Sequence, residues 1–242
     1  MDLSFSLEGK GENIIVLHGW GCNKELFKSI ASALSTKYQV YVLDLPGFGK
    51  SEEPRIPYTL DDYTKVLKEF INKNHIENPI IIGHSFGGRI GIRYAYENKV
   101  KKLILIDSAG IKHHSIIKSF KIYRYKLLKK WYVITKNISK LEELTEKSGS
   151  ADFKAASNIM KRTLSLIVNT NQLKELSKIE CETLILWGVL DKTTPYQDAL
   201  IMKKRIKNSA LISFDESGHF PFIDEEYKFI KVLKSYLQIG DD

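Results

Sequence analysis

Gly83-His84-Ser85-Phe86-Gly87 sets a serine hydroxyl at the centre of a G-x-S-x-G pentapeptide. The apolar run Ile80–Ile82 leads into it, and a helical pattern carrying Ile90, Ile92 and Tyr94 leads out. Strand, sharp turn and helix in that order are the setting in which this pattern exposes a nucleophile. So tight a turn holds its central residue at strained backbone angles. Side chains two residues to either side would collide, which accounts for Gly83 and Gly87. Ser85 is therefore expected at the carboxyl end of its strand, where ligands bind in open α/β sheets. A serine hydroxyl is a poor nucleophile at neutral pH, so a base must take its proton. His219, in the loop after the last apolar run, is the expected base. Asp191 and Asp107 each follow an apolar run and are the two candidate acids to orient it. His113 and His114 are adjacent but lack nearby carboxylate or cysteine spacing, so no metal is expected. No nucleotide-binding glycine loop occurs, and serine chemistry needs no organic cofactor.

The elements that must position these residues can be read from hydropathy. Ile14–Leu17, Val40–Leu43, Ile80–Ile82, Leu103–Ile106, Leu184–Trp187 and Leu211–Phe214 are short and almost wholly apolar. They are too short for helices and too uniform for strands with one wet face, so they read as parallel strands buried on both faces. Amphipathic segments lie between most of them. Leu26, Ile30 and Leu34 recur at helical spacing; Tyr63, Val66, Leu67, Phe70 and Ile71 do so behind a start signal at Thr59 and Asp62. Tyr227, Ile230, Leu233 and Leu237 give a last helix one apolar stripe. This alternation predicts an α/β fold with a doubly wound, mostly parallel sheet. From Ile111 to about Leu176 no strand pattern occurs. Residues 1–110 and 177–242 are expected to form the core, and 111–176 an inserted all-helical cap.

Five motifs in order make the chain resemble the α/β-hydrolase family. Besides the serine pentapeptide they are His18-Gly19-Trp20-Gly21, Asp44-Leu45-Pro46-Gly47-Phe48-Gly49-Lys50-Ser51, Trp187-Gly188-Val189-Leu190-Asp191 and Ser217-Gly218-His219-Phe220-Pro221. The resemblance implies a catalytic order Ser85, Asp191, His219, with Asp107 as the alternative acid used by some members. It implies an oxyanion hole made of the backbone N–H groups of Trp20 and Phe86. His18, His84, Phe220, Phe120 and Trp131 become candidates for the substrate pocket. Serine at the elbow, where the family's dehalogenases and epoxide hydrolases carry aspartate, argues against both. The expected reaction is cleavage of a carboxylic ester through an acyl-enzyme. The alternatives are an acyl-carrier-protein ester or thioester hydrolase, a carbon–carbon bond hydrolase, and a ligand sensor on the same fold.

The chain has 242 residues, 43% apolar and 27% charged, with 37 basic and 29 acidic residues. These are the proportions of an ordinary globular protein. Two lone cysteines, Cys22 and Cys181, offer no disulfide framework. The start lacks the basic and apolar regions of a signal peptide, and no apolar stretch nears the length of a membrane span. A cytoplasmic location is expected. The net charge of +8 is not spread evenly: residues 111–140 hold nine basic residues and no acidic one, leaving 28 against 29 elsewhere. On a helix, Ile116, Phe120, Tyr123, Leu127, Trp131 and Ile134 share one face, and Lys118, Lys121, Lys126 and Lys129 fall outside it. A solvated basic face is the plain expectation. An acidic partner or anionic substrate is the sharper one, because HGWGCN and a short cap resemble carboxylesterases acting on acyl-carrier-protein methyl esters. His84 departs from that subgroup, which carries tryptophan there. No nucleic-acid fold accompanies the charge.

Overall fold

The structure, a computed structural model, describes residues 1–112 and 156–240. Seven strands form one sheet: β1 (Phe5–Glu8), β2 (Glu12–Leu17), β3 (Tyr38–Leu43), β4 (Ile80–His84), β5 (Lys102–Ile106), β6 (Glu182–Gly188) and β7 (Ser209–Phe214). Their spatial order is β1-β3-β2-β4-β5-β6-β7; β1 runs antiparallel to β3 and every other pair is parallel. The helices are α1 (Lys28–Leu34), α2 (Leu60–Lys73), α3 (Phe86–Glu97), α4 (Asn158–Val168), α5 (Leu173–Leu176), α6 (Tyr196–Arg205), α7 (Pro221–Asp224) and α8 (Glu226–Tyr236).

Two apolar layers explain why the strand sequences are apolar without alternation. Ile15, Leu17, Ile81, Leu103, Leu105, Ile185 and Trp187 pack with α2, α3 and α6 on one face. Their strand neighbours Ile14, Val16, Ile80, Ile82, Ile104, Ile106, Leu184 and Leu186 pack with α1 and α8 on the other. Successive side chains of a strand point to opposite faces, so both sets must be apolar when helices cover both sides. The doubly wound, mostly parallel sheet is thus as the sequence predicts.

Strand β1 has no counterpart in the hydropathy reading. It is a four-residue edge strand whose Phe5 and Leu7 remain 40% and 46% exposed. Phe5 is held by ring contacts with Tyr41 and Phe70. The predicted start of α2 is present as a capping box, with Thr59 and Asp62 each accepting from the other's backbone N–H. The spacing of Leu26, Ile30 and Leu34 is shared between a 3₁₀ turn, Lys24–Phe27, and α1.

Strands β5 and β6 are parallel neighbours, so everything from Asp107 to Cys181 lies on one connection between them. Its described C-terminal part, α4 and α5, is helical. Arg89 of α3 donates to the Thr170 carbonyl at 2.9 Å, and Arg93 pairs with Glu175 at 2.9 Å. Thr163 of α4 accepts from the Tyr58 amide at 2.9 Å, and buried Met160 lies against Gly47. Among the described residues no helix is long and apolar enough to cross a membrane.

Candidate active site

Ser85 sits between β4 and α3 with φ 50° and ψ −108°, a left-handed conformation that costs a non-glycine residue about 1–3 kcal/mol. Three backbone bonds hold it there. Its N–H donates to Ile106 at 3.0 Å, and its carbonyl accepts from Arg89 at 3.2 Å and Ala109 at 3.0 Å. The flanking glycines are required by space. A Cβ on Gly83 would lie 2.6 Å from the Gly88 nitrogen, and one on Gly87 would lie 2.2 Å from the Leu17 carbonyl oxygen. Phe86 opens α3, so its amide is among the first N–H groups of the helix, which have no intrahelical acceptor.

Asp191 and His219 lie on the loops after β6 and β7. The His219 ring donates from Nδ1 to Asp191 Oδ2 at 2.6 Å, which leaves Nε2 as the nitrogen free to exchange a proton. Asp191 Oδ1 accepts from the amides of Thr193 at 2.6 Å and Thr194 at 3.1 Å, and the Thr194 hydroxyl donates to Oδ2 at 2.6 Å. Burial alone would raise the Asp191 pKa, but the bonds from His219, Thr194 and Thr193 outweigh it and hold it at about 2. The two loops are clamped together. Leu190 donates to the Ser217 carbonyl at 3.0 Å, and Gly188 passes so close that a Cβ there would lie 2.0 Å from the Gly218 oxygen. The fully buried Trp187 fixes the acid loop by donating its ring N–H to the Thr194 carbonyl at 3.0 Å.

His84 joins this pair to the serine turn. Its Nε2–H donates to the His219 carbonyl at 2.8 Å, and the two rings lie 4.8 Å apart. Burial pushes its pKa down to about 3, helped by the neighbouring His219, so it is neutral at ordinary pH. The predicted oxyanion loop meets the same group from the other side. A Cβ on Gly19 would lie 2.9 Å from His84 Nδ1 and 3.3 Å from the Ser85 Cβ. Trp20 is half-buried, with its ring 5.5 Å from that of Phe86 and 4.9 Å from that of Phe48. Fully buried His18 accepts the Leu45 N–H at Nε2, 3.0 Å away, so its proton is on Nδ1, which donates to the Gly19 carbonyl at 2.7 Å. Burial lowers the His18 pKa to about 4. Asp44 braces the next turn of the loop. It accepts from the Lys24 amide at 2.8 Å and pairs with the Lys24 ammonium at 2.5 Å.

Of the predicted pocket residues, His18 and His84 are thus buried behind the loops they tie down. Half-buried Phe220 packs its ring 5.1 Å from His84 and 5.2 Å from His219. Phe120 and Trp131 lie outside the described residues. Asp107 sits at φ 41° after β5, with Oδ1 accepting the Gly188 amide at 3.0 Å. No bond joins it to His219 among the hydrogen bonds described. Thr194 was not singled out by sequence reasoning. Its signal is the run Asp191-Lys192-Thr193-Thr194, since an aspartate commonly accepts from amides two and three residues on.

The fold and the elbow define an enzyme class, and comparison with known proteins agrees. Residues 12–132, half of the chain, match the family model for the alpha/beta hydrolase fold, and this chain belongs to that family. An AB hydrolase superfamily protein, YisY, of Bacillus subtilis is 31% identical, covering 94% of this chain and 92% of its own. A pimeloyl-[acyl-carrier protein] methyl ester esterase of Vibrio cholerae is 27% identical, covering 96% and 97%. Among solved structures, an esterase from Exiguobacterium antarcticum superposes with a TM-score of 0.75 at 26% identity, covering 98% of this chain and 95% of that one.

Proposed function

We propose that this protein hydrolyses carboxylic esters through an acyl-enzyme built on Ser85, His219 and Asp191. The observation that carries the reading is the 2.6 Å His219–Asp191 bond on a loop that His84 ties to the serine turn. As Ser85 Oγ forms its bond to the ester carbonyl carbon, His219 Nε2 takes the hydroxyl proton. The imidazolium is stabilised by Asp191 and gives that proton to the departing alcohol as the C–O bond breaks. Water then attacks the acyl-enzyme by the same route, returning the proton to Ser85. The amides of Trp20 and Phe86 receive the negative oxygen, each such donor typically contributing about 3–4 kcal/mol to the transition state.

A second reading refines the substrate. The relatives named as acyl-carrier-protein methyl ester esterases cover nearly the whole chain. Acyl carrier proteins are acidic, and residues 111–140 concentrate nine basic side chains. An acyl group presented by an acidic carrier fits both facts.

One assay series tests both. Wild type is expected to turn over p-nitrophenyl butyrate many times and to be labelled at Ser85 by a serine-directed phosphonate. Ser85→Ala should do neither while staying folded, and full activity in that variant would overturn the reading. A thioester and a carbon–carbon bond substrate in the same panel distinguish the other hydrolase chemistries, and labelling without turnover would indicate a sensor. For the carrier reading, kcat/KM on an acyl-carrier-protein methyl ester should fall steeply with added salt while p-nitrophenyl butyrate is little affected. Equal salt dependence would remove it.

A further inference from the structure

Asp107 is fully buried, yet only one of its two carboxyl oxygens is accounted for. Oδ1 accepts the Gly188 amide; Oδ2 is buried without a hydrogen-bond partner. Carboxyl oxygens of Asp107 and Asp191 and a ring nitrogen of His219 all lie within 4.8 Å of one another. Two ionised carboxylates in so small a buried space would face each other with no hydrogen between them. Asp191 has four donors, whereas the Asp107 side chain has one. The shared site therefore places its proton on Asp107, and an O–H at Oδ2 has Asp191 as its charged neighbour.

We propose that Asp107 is a positioning residue, a neutral carboxylic acid that donates through Oδ2 to Asp191 and helps fix the carboxylate on which His219 turns. The inference rests on the ester-hydrolase reading above for its catalytic consequence, but not for the proton itself. Burial first, then the nearby Asp191, pushes the Asp107 pKa up to about 9, against the lowering effect of the Gly188 amide. The titratable groups that face it are Asp191 and His219 on the two loops and Asp224 of α7, and both acids oppose its ionisation. The Thr194 hydroxyl lies 3.0 Å from its main-chain carbonyl, so the same short loop contacts both acids. Loss of the Asp107 proton at alkaline pH removes a donor from Asp191 and sets a second negative charge beside it. The consequence is felt by His219 in catalysis, while substrate binding elsewhere is untouched.

The test compares wild type, Asp107→Asn and Asp107→Leu on p-nitrophenyl butyrate from pH 6 to 10.5, with circular dichroism at each pH to verify folding. Asparagine keeps an oxygen for the Gly188 amide and an N–H for Asp191 at every pH. Wild type should lose kcat above about pH 9. Asp107→Asn should hold kcat within threefold of wild type at pH 7 and show no such alkaline loss. Asp107→Leu should lose about tenfold in kcat with KM unchanged. An Asp107→Asn variant as inactive as Asp191→Asn would make Asp107 the ionised acid and overturn the proposal, leaving ester hydrolysis intact. An unchanged alkaline limb in Asp107→Asn would also overturn it. Carboxyl-¹³C aspartate labelling of wild type decides the matter if either variant fails to fold or if Ser85→Ala proves active. One aspartate must still be protonated at pH 7 and titrate near pH 9; if every aspartate is ionised at pH 7, the proposal fails.

Discussion

The proposed triad residues Ser85, His219 and Asp191 can be picked out of the sequence because each stands in a short motif at the end of an apolar run. What holds them cannot be. His84 reaches the His219 carbonyl across 135 positions of sequence, and Lys24 reaches Asp44 across 20. Such contacts depend on where loops pass one another, which local spacing does not encode. Thr194 shows the difference most sharply. Its hydroxyl lies 2.6 Å from Asp191 Oδ2 and 3.3 Å from His219 Nδ1, at the junction of acid and base. It has one proton to give, and the shorter contact to a charged oxygen receives it. Valine has the same branched shape without the hydroxyl. Thr194→Val should therefore lower kcat about tenfold, the equivalent of about 1.4 kcal/mol, and leave KM unchanged. Steady-state kinetics on p-nitrophenyl butyrate provide the check, and a change below twofold would show that the two backbone donors suffice to hold Asp191.

Elements were legible in proportion to how fully they are buried. The five inner strands announce themselves because most of their side chains are enclosed by helices on both faces; edge strand β7, in which only Phe214 is buried, shows through the run Leu211–Phe214. Edge strand β1 does not, since four half-wet residues cannot establish a period. Helix α3 is a different case: Ile90 and Ile92 are both fully buried although they do not share a face, because the sheet, α2 and α5 surround the helix. Its neighbour α2 has an ordinary apolar stripe and a start that sequence alone identified. In that capping box Thr59 Oγ1 accepts from the Asp62 amide at 3.2 Å, and Asp62 accepts from the Thr59 amide at 2.8 Å. Thr59→Ala should destabilise the protein by about 1 kcal/mol in urea unfolding. The Thr59 side chain bonds only Asp62 among the described residues and caps only α2, so kcat should not change. An activity loss larger than the stability loss explains would mean that the start of α2 also shapes the site.

At the scale of the molecule, three buried groups around the candidate site, His18, His84 and Asp107, shape how stability depends on pH between about 4 and 9. His18 and His84 are neutral in the folded protein down to about pH 4 and about pH 3, whereas exposed imidazoles protonate near 6.5. Between about 4 and 6.5 the unfolded chain therefore binds up to two more protons on these groups. Asp107 acts oppositely: folded, it keeps its proton to about pH 9, whereas an unfolded aspartate loses it near 3.9. Below 6.5 the net difference is one proton in favour of the unfolded state, so stability rises with pH. Above 6.5 the histidines no longer contribute and the folded state holds one more proton, so stability falls until about pH 9. Each limb has a limiting slope of about 1.4 kcal/mol per pH unit, and the maximum is expected near pH 6.5. Asp191, held at about 2, adds stability above its unfolded value that is lost only as pH falls toward 2, outside this window. Urea midpoints measured at half-unit steps from pH 4.5 to 9 trace the curve. Asp107→Asn, neutral in both states, should keep the acid limb, steepened, and lose the alkaline one. If wild-type midpoints instead climb steadily from pH 6.5 to 9, Asp107 does not carry its proton in the folded protein.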